Sequence, residues 1–265
     1  SVCDVVDPFV GIKFLSFRGY TDTSAKLRGH DCVVTRSCRI NVEADSLNAA
    51  VLLPNVELGS DTYRAFIRDT CKEITQKSGQ KCTATRRVFL PSAMLAKCQA
   101  DLCEAVAAVK VGDPSGDDVR IGPLSTAAQA EDYRRGIDKL VAGGAAILYQ
   151  GELGEKLSSA FVRPTLLGIP AGRDVPQVHE IEVFGPMATL IPYDKLDTLI
   201  QDVARGQGAL VASIYGDDKD AAAEILAGIA PFHGRVVWVS SKVADQAIAP
   251  GMVLPSCIHG GPGRA

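Results

Sequence analysis

Strand-like and helix-like hydrophobic patterns alternate along this chain. Short apolar runs at residues 39–43, 87–90 and 209–214 have the length of buried strands. Apolar residues at helical spacing separate them, most clearly over residues 61–74 and 127–142. Alternation of this kind is typical of an α/β fold in which helices cover a largely parallel sheet.

Composition excludes several classes of partner. The 265 residues carry a formal net charge of −3 and contain no block of Lys and Arg, which argues against nucleic acid. No apolar run approaches the roughly 18 residues of a membrane span, so we expect no membrane association. The eight cysteines include no C-x-x-C pair and fit no zinc spacing. We therefore expect reduced thiols, no metal site and a cytoplasmic location.

One cysteine differs from the rest in its surroundings. Cys82 ends the polar segment 77–82, in which Gly79 provides a turn and Lys81 is the preceding residue. A lysine and nearby backbone N–H groups favour the thiolate, the nucleophilic form of cysteine. Most of the other cysteines fit small buried core residues. The sequence therefore predicts Cys82 as the catalytic nucleophile.

A carboxylate upstream is the candidate base. Glu43 follows a short apolar run and lies among small residues. Partial burial there would suit it to accept a proton from water. A thiolate and a water-activating base are the pair that covalent catalysis at a carbonyl carbon requires. Taken alone, however, Glu43 is better explained as an ordinary strand-end glutamate near solvent.

Two further segments suggest contacts with a dinucleotide. A strand at residues 12–17, a turn containing Gly19 and a helix starting near Asp22 form one unit of a dinucleotide-binding sheet. Glycine there would let the backbone approach a cofactor closely. Glu182 lies two residues before Phe184, so a carboxylate for ribose hydroxyls accompanies a ring that supports a flat nicotinamide. No metal ligand set accompanies these residues.

Together these motifs resemble the aldehyde dehydrogenase superfamily. They occur in the order and with the spacing of that family, and the resemblance covers essentially the whole chain. The matching pieces are Phe17-Arg18-Gly19-Tyr20-Thr21, Val42-Glu43-Ala44, Gly79-Gln80-Lys81-Cys82 and Glu182-Val183-Phe184-Gly185-Pro186. Residues 41–48, 79–84 and 259–264 are similar, more narrowly, to dehydrogenases of CoA-dependent aromatic degradation. That group includes the dehydrogenase domain of the phenylacetate ring-opening enzyme and the semialdehyde dehydrogenase of benzoyl-CoA oxidation.

The resemblance implies a fold and a domain arrangement. We expect a three-layer α/β/α catalytic domain over residues 43–265, preceded at residues 1–42 by the C-terminal fragment of a Rossmann-like NAD(P)-binding domain. The family's chain is about twice as long, so we expect this piece to be inactive alone and to lack an oligomerisation segment. The full-length protein is expected to form a homo-oligomer.

The resemblance also implies a reaction and its participants. Cys82 attacks a small-molecule aldehyde, hydride passes to NADP or NAD, with NADP favoured, and Glu43 activates the water that releases the acid. Gly19, Glu182 and Phe184 are then cofactor-binding residues. The substrate implied is a CoA-linked semialdehyde. Relatives that transfer the acyl group to CoA typically lack a glutamate at the position of Glu43, so its presence favours hydrolysis to the free acid.

Two alternatives remain open. One is a cofactor-independent cysteine hydrolase or thioesterase, which requires a histidine partner for Cys82. No histidine lies in an obvious catalytic motif; the four are His30, His179, His233 and His259. The other alternative is a non-catalytic domain fragment that binds partners without turning over a substrate.

Overall fold

The computed structural model describes residues 13–154, 157–246, 248–253 and 259–265. Two sheets organise this part of the chain. The smaller sheet pairs β1 and β2 in parallel, and the larger has the strand order β5-β6-β7-β4-β3-β8-β9. The strands are β1 (Phe14–Arg18), β2 (Arg39–Glu43), β3 (Ala49–Leu52), β4 (Arg87–Pro91), β5 (Ala146–Gln150), β6 (Thr165–Gly168), β7 (Met187–Tyr193), β8 (Ala209–Tyr215) and β9 (His233–Val239).

Helices connect the strands in the expected alternation. In order along the chain they are α1 (Thr21–Arg28), α2 (Asp31–Thr35), α3 (Asp61–Thr75), α4 (Leu95–Ala107), α5 (Ala127–Ala142), α6 (Leu196–Ala204) and α7 (Lys219–Ile229). Side-chain caps fix the starts of the longest two. The Ser60 hydroxyl accepts a hydrogen bond from Tyr63 N at 3.2 Å, and that of Thr126 accepts one from Gln129 N at 3.1 Å.

Handedness places these helices on both faces of the large sheet. The connection from β3 through α3 to β4 moves one way across the strand order, and the connection from β7 through α6 to β8 moves the other way. All these pairings are parallel, and parallel crossovers are right-handed. Opposite directions therefore put α3 and α6 on opposite faces. The α/β fold predicted from the sequence is confirmed.

The core lies at the middle of the large sheet. Every residue of β3, β4 and β8 is buried, as expected for parallel strands covered on both sides. Helix α3 contributes Phe66 and Ile74, and the ring of Phe66 meets that of Tyr215 edge to face, with centroids 5.3 Å apart. This packing makes the strand ends a firm base for the loops that follow them.

Three local differences from the sequence analysis have physical reasons. Helix α3 runs to Thr75, one residue past its apolar pattern, and it ends there because Lys77 and Ser78 adopt left-handed backbone angles. Pro91 ends β4, and a 3₁₀ turn precedes α4. Helix α2 was not expected, because its five residues are too few for a helical period to show. The first residue of the strand expected at 12–17 lies outside the described residues.

Candidate active site

The small sheet brings the cofactor turn and the candidate base together. Parallel pairing sets Arg18 opposite Glu43, so β1 and β2 end at the same edge. Gly19 N then donates a hydrogen bond to Glu43 O at 3.1 Å. A side chain at Gly19 would meet the ring of Phe17, since an added Cβ would lie 2.6 Å from that ring. The lack of a side chain at this turn is therefore explained by packing as well.

The loop before Cys82 has an unusual backbone. Lys77, Ser78 and Gly79 have φ values of 54°, 55° and 69° in succession. Left-handed angles in non-glycine residues store strain and recur at functional sites. An added Cβ at Gly79 would lie 2.2 Å from the Gly185 backbone, so this position requires glycine. The loop is therefore pressed against the segment that carries Glu182 and Phe184.

A buried asparagine holds the nucleophile segment from below. The Nδ2 of Asn48 donates to Cys82 O and to Ala84 O, each at 2.8 Å. Its Oδ1 accepts from Ser46 Oγ at 2.7 Å and from Val211 N at 3.0 Å. These bonds satisfy the amide and fix the backbone of Cys82, whose side chain stays exposed.

The side chain of Lys81 binds Glu73 in helix α3, whereas its sequence position suggested a contact with the Cys82 thiol. Its Nζ donates to both carboxylate oxygens of Glu73, at 2.9 and 2.8 Å. Glu73 is almost completely buried in α3, so the ammonium compensates that charge. The expectation that Lys81 acts on the Cys82 thiol finds no contact in its favour among the described residues.

A histidine instead meets the thiol. His259 Nε2 lies 3.8 Å from Cys82 Sγ and 3.7 Å from Glu43 Oε2. Arg235 Nη2 donates to His259 Nδ1 at 3.5 Å. A guanidinium only donates, so Nδ1 accepts and the neutral ring carries its proton on Nε2. His259 therefore presents an N–H to the sulfur and the carboxylate.

Glu43 has a second neighbour, Arg18. The arginine Nε lies 2.9 Å from Glu43 Oε2, and its side chain is 72% exposed. An ion pair with such an exposed partner contributes little to stability. Arg18 Nη2 also donates to Glu43 Oε1 at 3.4 Å, so the arginine contacts both oxygens of this carboxylate.

Glu182 and Phe184 are fixed by one arginine. Arg86 Nε donates to Glu182 Oε1 at 3.1 Å, and its guanidinium carbon lies 5.3 Å from the centre of the Phe184 ring. Ser46 N donates to Glu182 Oε2 at 2.9 Å. Burial raises the pKa of Glu182, while the Arg86 charge and the Ser46 N–H oppose that rise.

These residues enclose a single cleft. Its volume is about 290 Å³. All five residues predicted from the sequence line it: Gly19, Glu43, Cys82, Glu182 and Phe184. The remaining lining residues are Arg18, Tyr20, Ala44, Asp45, Gln129 and Leu210. The cleft thus combines an exposed thiol and a half-buried carboxylate with a second carboxylate beside an aromatic ring.

The fold and the cleft place the chain among α/β proteins with an accessible thiol and two carboxylates in one cleft, a class that includes cysteine-dependent enzymes. Comparison with known proteins defines the class further. Residues 7–250 match the model of the aldehyde dehydrogenase family, and the chain belongs to that family. The family predicted from the sequence is confirmed.

One curated relative matches along nearly the whole chain. It is the 3,4-dehydroadipyl-CoA semialdehyde dehydrogenase of Aromatoleum evansii, which is 39% identical over 264 residues. That match covers 98% of this chain and 51% of the relative. Protein MaoC of Klebsiella aerogenes is 34% identical over 145 residues, or 55% of this chain and 43% of that protein. The chain thus spans about half the length of the curated relatives it matches.

Solved structures share the fold. A variant of betaine aldehyde dehydrogenase from Staphylococcus aureus in complex with NAD+ has a TM-score of 0.83 at 20% identity, over 100% of this chain and 49% of that one. Lactaldehyde dehydrogenase from Escherichia coli has a TM-score of 0.77 at 21% identity, over 95% of this chain and 49% of that one.

The sequence analysis gave no role to Arg86 or Asn48, and it named His259 only as one of four histidines without a catalytic motif. Arg86 could have been recognised from the sequence, because two consecutive arginines stand at the start of an apolar strand. Successive side chains of an extended segment point to opposite sides, so the two arginines have different surroundings. The contact of His259 with Cys82 joins residues 177 positions apart, and no local pattern encodes it.

In the described residues, no helix has the length and apolarity needed to cross a membrane.

Proposed function

We propose that the chain carries the catalytic centre of an aldehyde dehydrogenase that converts an aldehyde to the carboxylic acid. The observation that supports this most directly is that Cys82 and Glu43 line one cleft with Glu182 and Phe184. Family membership supports the same conclusion.

The residues of the cleft fit a nicotinamide cofactor. Each carboxylate oxygen of Glu182 accepts one protein hydrogen bond and keeps a further lone pair for a ribose hydroxyl. Phe184 lines the cleft and offers a flat apolar surface. Glu182, Phe184 and the turn at Gly19 would hold the nicotinamide half. When bound, this cofactor supplies the hydride acceptor for the oxidation.

Cys82 and Glu43 perform the remaining chemistry. The Cys82 thiolate attacks the aldehyde carbon, and the backbone N–H of Cys82 stabilises the oxyanion that forms. Once the acyl group is held as a thioester, Glu43 takes a proton from water, which attacks the acyl carbon. The acid leaves and the thiolate is regenerated.

We further propose that the aldehyde is a CoA-linked semialdehyde and that NADP is preferred to NAD. The first proposal is supported by the 39% identity to the Aromatoleum evansii enzyme, whose name specifies a CoA-linked semialdehyde. The NADP preference rests on the narrower resemblance of residues 41–48, 79–84 and 259–264 to that group. The domain division at residue 42 and homo-oligomer formation also remain proposals.

The test uses the protein at its full natural length. Cys82→Ala should abolish aldehyde-dependent formation of NAD(P)H, while Cys103→Ala, on the outer helix α4, should leave it within twofold of wild type. Glu43→Gln should give a burst of about one NAD(P)H per active site and then a steady rate lowered roughly 100-fold or more. Full turnover by Cys82→Ala would refute the proposal. Comparing the semialdehyde with and without CoA, and NAD with NADP, tests the finer statements.

A second activity, cofactor-independent hydrolysis of activated esters or thioesters, is favoured by the histidine beside the thiol. In it, the Cys82 thiolate attacks the acyl carbon, the alcohol or thiol leaves, and Glu43 activates the water that releases the acid. The His259 N–H, 3.8 Å from Cys82 Sγ, stabilises the thiolate.

Hydrolysis of p-nitrophenyl acetate without cofactor tests this second activity. His259→Ala should lower the rate about tenfold, and His30→Ala, in a different part of the chain, should not. Equal rates for wild type and Cys82→Ala would show that the thiol does not carry the reaction.

A further inference from the structure

Arg86 joins the two loops that form the cleft. It lies just before β4, and its side chain is only 2% exposed. Its Nη2 donates to Gly79 O at 2.9 Å in the nucleophile loop, and its Nη1 donates to Gly185 O at 2.7 Å in the opposite loop. The remaining nitrogen, Nε, donates to Glu182 Oε1 at 3.1 Å. One guanidinium therefore holds both loops through three separate acceptors.

The contact leaves the guanidinium little freedom. The backbones at Gly79 and Gly185 touch closely enough that neither loop can move toward the other. A planar guanidinium bound at all three positions also has a fixed orientation. Its position beside the Phe184 ring, 5.3 Å from the ring centre, restrains that ring by a cation–π contact.

The same arginine favours the ionised form of Glu182. Burial raises the pKa of Glu182, the nearby Asp45 adds to the rise, and Arg86 is the largest opposing influence. Tyr20 also lies close enough to be influenced by the charge of Glu182. A carboxylate accepts from ribose hydroxyls at both oxygens, whereas a protonated acid gives up part of that capacity.

We propose that Arg86 is a positioning residue for cofactor binding: it orients Glu182 and Phe184 toward the nicotinamide riboside half and fixes their distance from the Cys82 loop. The inference rests on the proposed function. It assigns to this chain a determinant of cofactor affinity that does not itself touch the reacting atoms.

The neighbouring residue provides a matched control. Arg87 is also fully buried, but its guanidinium points away from the cleft and donates to Leu47 O, Asp202 O and Val203 O. Removing either arginine leaves buried acceptors unpaired, so a general loss of stability should affect both variants. Only the loss of Arg86 should affect the cofactor.

The experiment compares Arg86→Met, Arg86→Lys and Arg87→Met in the full-length protein. NAD+ and NADP+ are titrated by fluorescence, and Cys82 alkylation by iodoacetamide is timed without cofactor. Arg86→Met should raise the cofactor Kd at least tenfold and leave the alkylation rate within threefold. Arg86→Lys should recover part of the affinity. Arg87→Met should keep the Kd within twofold, even where its Tm falls.

A pH series separates positioning from folding. In Arg86→Met the largest influence that opposes the rise in the Glu182 pKa is gone and only the Ser46 N–H remains, so the carboxylate takes up a proton at a higher pH than in wild type. The Kd should therefore weaken as pH falls from 8 to 6 in the variant and change little in wild type. Should Arg86→Met not fold, Arg86→Lys tests the proposal, since it keeps the charge but cannot span three acceptors; a Kd equal to wild type would then refute it.

The outcomes distinguish the inference from the function on which it rests. An unchanged Kd in Arg86→Met, or equal losses in Arg86→Met and Arg87→Met, would overturn the role of Arg86 while the dehydrogenase proposal stands. A wild-type protein that binds neither NAD+ nor NADP+ would overturn the proposed function, and this inference with it.

Discussion

At the scale of single residues, the geometry of the site depends on a glycine. Gly79 has φ of +69° and faces the Gly185 backbone. Gly59 offers a natural comparison, because its φ is +79° but an added Cβ would have nothing within 4 Å. A substitution strains the backbone at both positions, but only at Gly79 would the new side chain also collide with a neighbouring segment.

Gly79→Ala should therefore cost much more stability than Gly59→Ala. A left-handed angle alone costs on the order of 1 kcal/mol for alanine, and Gly59→Ala should lose about that amount. Gly79→Ala must also displace one of the two loops, so we expect a loss of about 3 kcal/mol or more and slower alkylation of Cys82. Urea unfolding measures both losses. Similar losses for the two variants would contradict the close contact of the loops.

The residues that sequence reasoning found are those with local signals. Cys82 follows a glycine turn, and Glu182 and Phe184 stand in one short motif. Asn48 belongs to the segment 41–48 that carries the narrower resemblance, but no role for it was predicted. Its four hydrogen bonds connect the Cys82 backbone to Ser46 and Val211. Its importance arises from β3, β4 and β8 being neighbours, a fact of topology that no window of sequence contains.

At the scale of elements, the nucleophile loop is tied to helix α3. Lys81 and Glu73 form this link, with side chains only 15% and 4% exposed. Lys97 and Asp101 on α4 form a comparable pair, but Lys97 is 56% exposed. Breaking a buried pair leaves an uncompensated charge, whereas breaking an exposed one leaves a solvated charge.

Lys81→Met should destabilise the protein by about 3 kcal/mol. Lys97→Met should cost at most about 0.5 kcal/mol. Guanidinium chloride unfolding provides the comparison, with Cys82 alkylation as the second measurement. A stable Lys81→Met protein with a strongly slowed alkylation rate would show instead that Lys81 acts on the thiol.

Helices and strands were predicted best where the periodic segment of sequence was long. Helix α5 has the bounds expected from its pattern, 127–142, because sixteen residues contain more than four turns. Helix α3 ends at Thr75, and the tight turn on left-handed Lys77 and Ser78 that follows it leaves no trace in hydrophobic spacing. Boundaries depend on backbone geometry, whereas the existence of an element depends on its buried face.

At the scale of the whole molecule, a polar centre lies inside the described fold. Arg87 is fully buried, and burial lowers its pKa to about 9. Its Nη1 lies 3.1 Å from His179 Nδ1, which therefore accepts. His179 and His233 are both buried. Both lie close enough to Arg87 for its positive charge to lower their pKa values. Arg205 and Asp174 also face His179, the first opposing its protonation and the second favouring it.

The two histidines should make the fold sensitive to mild acid. Burial lowers the pKa of His179 to about 3 and that of His233 to about 4, from an ordinary value of 6.5. In the unfolded chain the two histidines therefore take up protons near pH 6.5, whereas in the folded chain they stay neutral at that pH. The stabilisation is complete above pH 6.5 and declines as pH falls toward the folded values, by up to about 1.4 kcal/mol per pH unit for each histidine.

We therefore expect the free energy of unfolding to fall by about 3 kcal/mol between pH 7.5 and pH 5.5. Aspartates with lowered pKa values, such as Asp217, titrate only below 3.8 and so do not contribute in this window. Urea unfolding at half-unit intervals measures the decline. A His179→Gln/His233→Gln double variant should lose most of it, whereas a His30→Gln variant should keep it. An equally steep decline in the double variant would place the acid sensitivity elsewhere, because the two buried histidines to which it is assigned would be gone.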